Sequence, residues 1–393
     1  MMKKLFFLTN LFVLFMLVSV NAQQTDTTST EKMDPQAAIY YNNGVELMKS
    51  GKFPEAVTMF DSSLQVAKSA RTFYMKGQAL VKTNNLQDAK NALQSSISLD
   101  STFDAAVYAL GNVNLALKNY DDAVANYQQV KRVSKNEALK DEADKAITYV
   151  TESRAIDFFN KGNELAKENK FDEAVQNYDK ALAINKDYKT YYQKGLTLLK
   201  AGKVEDAIAS FKSSIALKDS FDIAYVALAG AQTQNKDYED AIKSYEKAIS
   251  VTTNEGLKGS IQEGMTRTYV VLGNQYMKEK KYDKAADAFK KATENSDFDQ
   301  AYLGLARALT EKKQYDNALA ALDKAGQFKK TVTDGALSYY RGVIYMNKGD
   351  KAKAIENFNA GAKDPQYKKA SESQIAYMKA KEEQDKGAKK TTK

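Results

Sequence analysis

The sequence predicts an all-α protein assembled from about nine stacked helical hairpins. Three observations carry that prediction. An alanine with a small residue twelve positions before it and a large residue four positions after it recurs along the chain. Each copy holds two amphipathic stretches of helical period separated by a polar break. Prolines number only 3 in 393 residues, and proline is the residue least tolerated inside helices.

The repeating alanines are Ala56, Ala89, Ala123, Ala174, Ala207, Ala241, Ala285, Ala318 and Ala354. The small residues before them are Gly44, Gly77, Gly111, Gly162, Gly195, Ala229, Gly273, Ala306 and Gly342. The large residues after them are Phe60, Leu93, Tyr127, Tyr178, Phe211, Tyr245, Phe289, Leu322 and Phe358. Small residues let two helices approach closely, and the large one fills the gap beside them. In KSGKF, KAGKV and NKGDK, the glycines Gly51, Gly202 and Gly349 are placed to end a first helix in the left-handed conformation. One hairpin cannot bury its own apolar face, so copies must stack.

The copies also group. FYMKGQAL (73–80) is echoed by YYQKGLTL (191–198), and NEALK (136–140) by NEGLK (254–258), both at an offset of 118. Repeats 1–3 are assigned to 37–135, repeats 4–6 to 155–253 and repeats 7–9 to 266–364. An extra or extended helix is expected between modules at 136–154, and a second inter-module helix at 254–265. A capping helix is expected at 365–386, followed by a disordered tail at 387–393.

Small residue, eleven residues, alanine, three residues, aromatic, on a period near 34, resembles the tetratricopeptide repeat. The resemblance covers nine copies, roughly 37–364, although the proline that often closes the repeat is nearly absent. It implies a right-handed α-solenoid that works as a scaffold. The first helices would line a concave groove receiving a protein or peptide partner.

The resemblance also nominates binding residues. The position three before each small residue is a groove position, here Tyr41, Tyr74, Tyr108, Phe159, Tyr192, Val226, Val270, Leu303 and Tyr339. Six are aromatic, and rings bury large areas at low entropic cost. The position after the small residue is Asn112, Asn163 or Asn274 in three copies, where an amide could hold a partner's backbone. Arg71, Lys189, Lys200 and Arg267 are expected on the rim. Some members clamp a C-terminal carboxylate with a lysine at the first of these positions. Here each such position is aromatic or aliphatic, so that chemistry is not expected.

The N-terminus reads as a secretory signal at 1–22: MMKK, then the apolar LFFLTNLFVLFMLVSV (5–20), then Ala22 before a cleavage point. An uncleaved anchor is the alternative. The leader resembles those of exported Bacteroidota proteins, which implies a periplasmic or secreted protein. Residues 23–36 are polar and threonine-rich, as in a flexible linker.

Composition narrows the chemistry. The chain has no Cys and no His, which excludes disulfides, thiolate sites and the commonest general base. Net charge is +8 from 58 basic and 50 acidic residues. These are interspersed as on solvated helix faces, so nucleic acid is not called for. No phosphate-binding glycine loop and no EF-hand spacing occurs, so neither an enzyme nor a cofactor is expected. Acidic pairs such as Glu205–Asp206 and Glu239–Asp240 suit the first turn of a second helix, against its dipole. The runner-up to a protein partner is a cell-wall polymer or glycan stacking on the same tyrosines.

Overall fold

The computed structural model describes residues 33–391, with side chains through 384. The expected signal at 1–22 and most of the linker lie outside the described residues. Among those described, the chain forms nineteen helices and no strand. It divides into two compact units, Met1–Asn160 with Ala183–Asn185, and Lys161–Leu182 with Lys186–Lys393. Most of the second sequence module and all of the third thus share one unit.

In the first unit, repeat 1 is α1 (Pro35–Lys49) and α2 (Phe53–Val66), and repeat 2 is α3 (Ala70–Lys82) and α4 (Leu86–Leu99). Repeat 3 is α5 (Asp104–Ala116) and α6 (Tyr120–Val133). Then comes α7 (Glu137–Lys167), a single helix of 31 residues. The expected inter-module helix at 136–154 is therefore the N-terminal half of repeat 4's own first helix. The boundary between units falls inside it.

In the second unit, repeat 4 is completed by α8 (Phe171–Ile184). Repeats 5 and 6 are α9 (Tyr188–Lys200) with α10 (Val204–Leu217), and α11 (Asp222–Gln234) with α12 (Tyr238–Val251). Repeat 7 opens with α13 (Glu255–Lys278), which absorbs the helix expected at 254–265, and closes with α14 (Tyr282–Asn295). Repeat 8 is α15 (Asp299–Glu311) and α16 (Tyr315–Gln327), and repeat 9 is α17 (Asp334–Lys348) and α18 (Lys351–Gly361). The capping helix α19 (Lys368–Thr391) runs five residues past its expected end, through part of the expected tail. Ile375 and Met378 pack it onto Ala354 and Phe358, and Glu372, Tyr377 and Lys379 face outward.

The repeating residues close each hairpin on itself. A Cβ added to Gly44, Gly77, Gly111, Gly162, Gly195, Gly273 or Gly342 would stand 2.6–2.8 Å from the side chain sixteen residues later. Each glycine is thus a socket for the large residue of its own repeat. Phe60, Tyr127, Phe211, Phe289 and Phe358 are fully buried there. Serine hydroxyls tie the open ends: Ser63 Oγ donates to the Ala37 carbonyl at 2.8 Å, Ser96 to Ala70 at 2.7 Å, and Ser214 to Tyr188 at 2.7 Å.

All nine first helices end alike. Gly51, Gly202 and Gly349 take φ of 72°, 77° and 90°, as their spacing predicts. The same position is left-handed in the other six repeats, where it holds Asn84, Lys118, Asn169, Lys236, Lys280 or Lys313 at φ 58–69°. Each is followed by a bond from the next amide to a carbonyl five residues back, such as Lys281 N to Tyr276 O at 2.9 Å. A left-handed L-residue costs about 1–2 kcal/mol. Glycine returns about 0.5–1 kcal/mol of that as unfolded-state entropy. Lys236, Lys280 and Lys313 make no ion pair among the described residues. Replacing all three with glycine is therefore expected to stabilise the second unit by about 1–2 kcal/mol, read in denaturant unfolding.

Candidate functional site

Within each unit, successive first helices touch one another: α1 meets α3, α3 meets α5, and α9, α11, α13, α15 and α17 meet in turn. Second helices reach the next repeat mainly through its first helix. The first helices therefore crowd together, and their shared face is the inner face of each stack. Their second helices carry acidic first turns, Glu205 and Asp206 on α10 and Glu239 and Asp240 on α12. Several such acids also bridge to the next repeat, as Asp172 to Lys203 and Asp283 to Lys312, both at 2.8 Å.

The six predicted rings divide into two sets. Tyr74 and Tyr108 are buried, at 4% and 3% exposure, and the structure corrects their assignment as partner anchors. Tyr74 packs on Phe103 at 5.1 Å and receives a hydrogen bond from Gln78 Nε2. Tyr108 packs edge-on against Tyr127 at 5.3 Å. Both rings are enclosed by neighbouring core residues and offer little surface to a partner.

Tyr41, Phe159, Tyr192 and Tyr339 remain half-buried. Tyr41 leans on Phe60 at 5.9 Å, and the Arg71 guanidinium bonds its hydroxyl. Tyr192 sits between Phe211 at 5.9 Å and Phe221 at 5.3 Å. Tyr339 touches Phe358, Tyr340 and Tyr367. The bodies of Tyr41, Tyr192 and Tyr339 are thus held against neighbouring rings while part of each stays exposed. Val226 and Val270 are also half-buried, and Leu303 is buried.

The asparagines divide too. The Tyr127 hydroxyl donates to Asn112 Oδ1 at 2.7 Å, and the Tyr178 hydroxyl to Asn163 Oδ1 at 2.8 Å. Those carbonyl oxygens are engaged inside the hairpin, which leaves the amide N–H groups for a ligand. Asn274 faces no such hydroxyl, because its repeat carries Phe289 where the others carry tyrosine.

Burial raises the phenol pKa of Tyr74 to about 12, aided by the Asp104 carboxylate. It does the same at Tyr108, also to about 12, with Glu142 adding to it. A raised phenol pKa means stability that is complete below the unfolded value near 10 and is lost as pH rises through about 12. Denaturant unfolding between pH 9 and 12 should therefore show a steeper alkaline loss for the natural chain than for Tyr74→Phe/Tyr108→Phe. Equal slopes would place both rings in solvent.

Arg307, Tyr340 and Tyr367 gather around Tyr339 without having been nominated by spacing. Arg307 follows the small residue of repeat 8 and occupies the place that Asn112, Asn163 and Asn274 fill elsewhere, so the register could have found it.

Tetratricopeptide-repeat models match residues 74–137, 155–188, 192–254 and 276–331. Together they cover more than half of the chain, which belongs to the tetratricopeptide-repeat proteins. Among curated proteins it is similar to Hsp70-Hsp90 organizing protein 2 of Arabidopsis thaliana, 22% identical over 62% of this chain and 41% of that protein. The chain thus spans about two fifths of that relative's length. Among solved structures, the tetratricopeptide domain of P58(IPK) is 14% identical, over 88% of this chain and 99% of that one, with a TM-score of 0.32. The TPR2AB domain of yeast Sti1, in complex with pHSP90, is 17% identical over 59% of this chain and 98% of that one, with a TM-score of 0.30.

Proposed function

We infer that this chain is an exported scaffold that holds a segment of another protein against the inner face of its first helices. The observation that carries the reading is the set of half-buried rings on first helices, Tyr41 and Phe159 in the first unit and Tyr192 and Tyr339 in the second, of which Tyr41, Tyr192 and Tyr339 are each braced by a neighbouring ring. Braced rings lose little entropy on binding, so their area converts efficiently into affinity. Amide donors at Asn112 and Asn163 and the free amide of Asn274 suit the carbonyls of an extended chain. The name of the Arabidopsis relative and the Sti1 complex accord with protein partners for this fold. Export rests on the leader at 1–22, and the work served is envelope assembly, secretion or quality control. The mechanism is recognition without bond chemistry.

The test is a cross-linked pull-down from the native cell envelope. The full chain is compared with a variant carrying Tyr41, Phe159, Tyr192 and Tyr339 changed to alanine, after circular dichroism shows that the variant folds. A protein captured by the first and lost by the second is the expected result. Equal capture would move the site off these helices. Wall fragments bound in place of protein would favour the glycan reading.

A further inference from the structure

The closed ends of the hairpins change sign along the chain. The seven residues leading up to each recurring alanine make the turn and the start of the second helix. In repeats 1–6 these stretches hold 9 basic and 12 acidic residues, and in repeats 7–9 they hold 9 basic and 5 acidic. One column makes the switch. The residue directly before the alanine is Glu55, Asp88, Asp122, Glu173, Asp206 or Asp240 in the first six repeats. In the last three it is Lys284, Asn317 or Lys353.

A helix N-terminus favours an acid, so these lysines stand where the dipole opposes them. α18 goes furthest, with no acid in its first turn and with Lys351 and Lys353 there instead. Lys280 and Lys313 occupy the left-handed turn position that glycine fills at least cost. Basic charge is thus placed at these ends against two local preferences, as happens where a sequence serves function over stability. Two of the lysines are also held in place. The ammonium nitrogens of Lys284 and Lys353 stand 5.7 Å and 5.2 Å from the ring centroids of Tyr276 and Tyr345. Each of those tyrosines is three residues after the small residue of its own repeat.

The three basic ends lie side by side in the second unit. Asp283 pairs with Lys312 at 2.8 Å and Asp316 pairs with Lys348, which bridges repeat 7 to repeat 8 and repeat 8 to repeat 9. Lys280, Lys284, Lys313, Lys351 and Lys353 are exposed along this edge. The stretches contain no arginine. Lysine is a compact point charge that asks no fixed geometry of its partner, unlike the planar fork of arginine. The rings in these turns, Tyr282 and Tyr315, are half-buried, so the edge offers no exposed ring on which a nucleic-acid base could stack. A row of point charges without a stacking platform suits a flat surface of mobile anions. We propose that the closed ends of repeats 7–9 dock on an anionic lipid bilayer, with the lysines at headgroup level. The four rings of the partner reading take no part, so each reading can fail without the other.

Sedimentation of the chain, purified from its native cells, with sucrose-loaded vesicles tests this. Vesicles of about 30% phosphatidylglycerol in phosphatidylcholine should bind it at least about tenfold more tightly than pure phosphatidylcholine, and the gap should close as salt rises from about 50 to 300 mM. The variant Lys280→Asn/Lys284→Asp/Lys313→Asn/Lys353→Asp places at each position a residue that other repeats carry there, so circular dichroism should show it folded. It should lose the preference for anionic vesicles. The control Lys186→Asp/Lys212→Asp/Lys247→Asp makes the same change in net charge at exposed sites away from the turns, and should keep the preference. Equal loss in both variants would assign binding to overall charge and overturn the proposal. So would equal binding to both kinds of vesicle, or binding to neither. Tighter binding to single-stranded DNA than to anionic vesicles, lost in the turn variant, would replace the bilayer with nucleic acid.

Discussion

Replacing Gly304 with alanine is expected to destabilise the second unit by about 3 kcal/mol, near the top of the range for an overpacked core. The added methyl would stand 2.2 Å from a ring carbon of Phe289, closer than any real contact allows. Phe289 has no room to retreat, because Gly273 of its own repeat already lies against the ring, where a Cβ would come within 2.8 Å. The ring is fully buried between two first helices, α13 and α15. Shrinking it should relieve the clash. Gly304→Ala combined with Phe289→Leu is expected to be less destabilised than the two single changes summed, by about 1–2 kcal/mol of coupling between contacting residues. Guanidinium unfolding of the four chains measures that cycle. Simple additivity would mean that the ring and Gly304 do not meet.

Asp299→Ala is expected to cost about 3 kcal/mol, the scale for stranding buried donors that faced a charged acceptor. The Asp299 carboxylate is buried at the start of α15. It accepts from the amides of Lys330 at 2.7 Å, Thr331 at 2.5 Å and Val332 at 2.8 Å, and from Thr331 Oγ1 at 2.9 Å. One side chain thus organises the whole turn between α16 and α17. Burial alone would raise its pKa, but the four donors together outweigh burial and hold it below the usual carboxylate value. A lowered carboxylate pKa gives stability that is present above the unfolded value and lost as pH falls through the folded one. The gap between the natural chain and Asp299→Ala should therefore narrow as pH falls below about 4. Amide exchange at 330–332 should accelerate in the variant at neutral pH, since repeat stacks open locally. Unchanged exchange there would refute the role.

The hairpins and their order were legible because their determinants are close in sequence. Gly44 and Phe60, or Gly195 and Phe211, sit sixteen residues apart on facing helices, and helical period alone brings them together. Left-handed glycines announced themselves at Gly51, Gly202 and Gly349. The same bend at Lys236, Lys280 and Lys313 did not, because a lysine carries no signal for that conformation. Tyr74 and Tyr108 were assigned to the inner face by register, and register alone cannot report the Phe103 or Tyr127 ring that covers them. Asn112 and Asn163 look like Asn274 in sequence, and only the residue fifteen later separates them. Asp299 was silent for a different reason: its main partners are backbone amides more than thirty residues away, and amides have no letter in a sequence. At 136–154 an extra or extended helix was expected and an extended one is found, since nothing between 137 and 167 tells a helix to stop; the helix expected at 254–265 is likewise the start of a lengthened first helix.

The pairing of each socket with a ring from its own hairpin bears on how such a chain can grow. Copying one hairpin copies the socket together with the residue that fills it, so that pairing arrives intact and only the outer side of the ring is left for the next hairpin to cover, as Gly304 covers Phe289. Had each ring filled a socket in the next hairpin, every insertion would have left one vacancy and one homeless ring. The offset of 118 between the first and second triplets of repeats is what wholesale copying of three hairpins with the segment that follows them would leave behind.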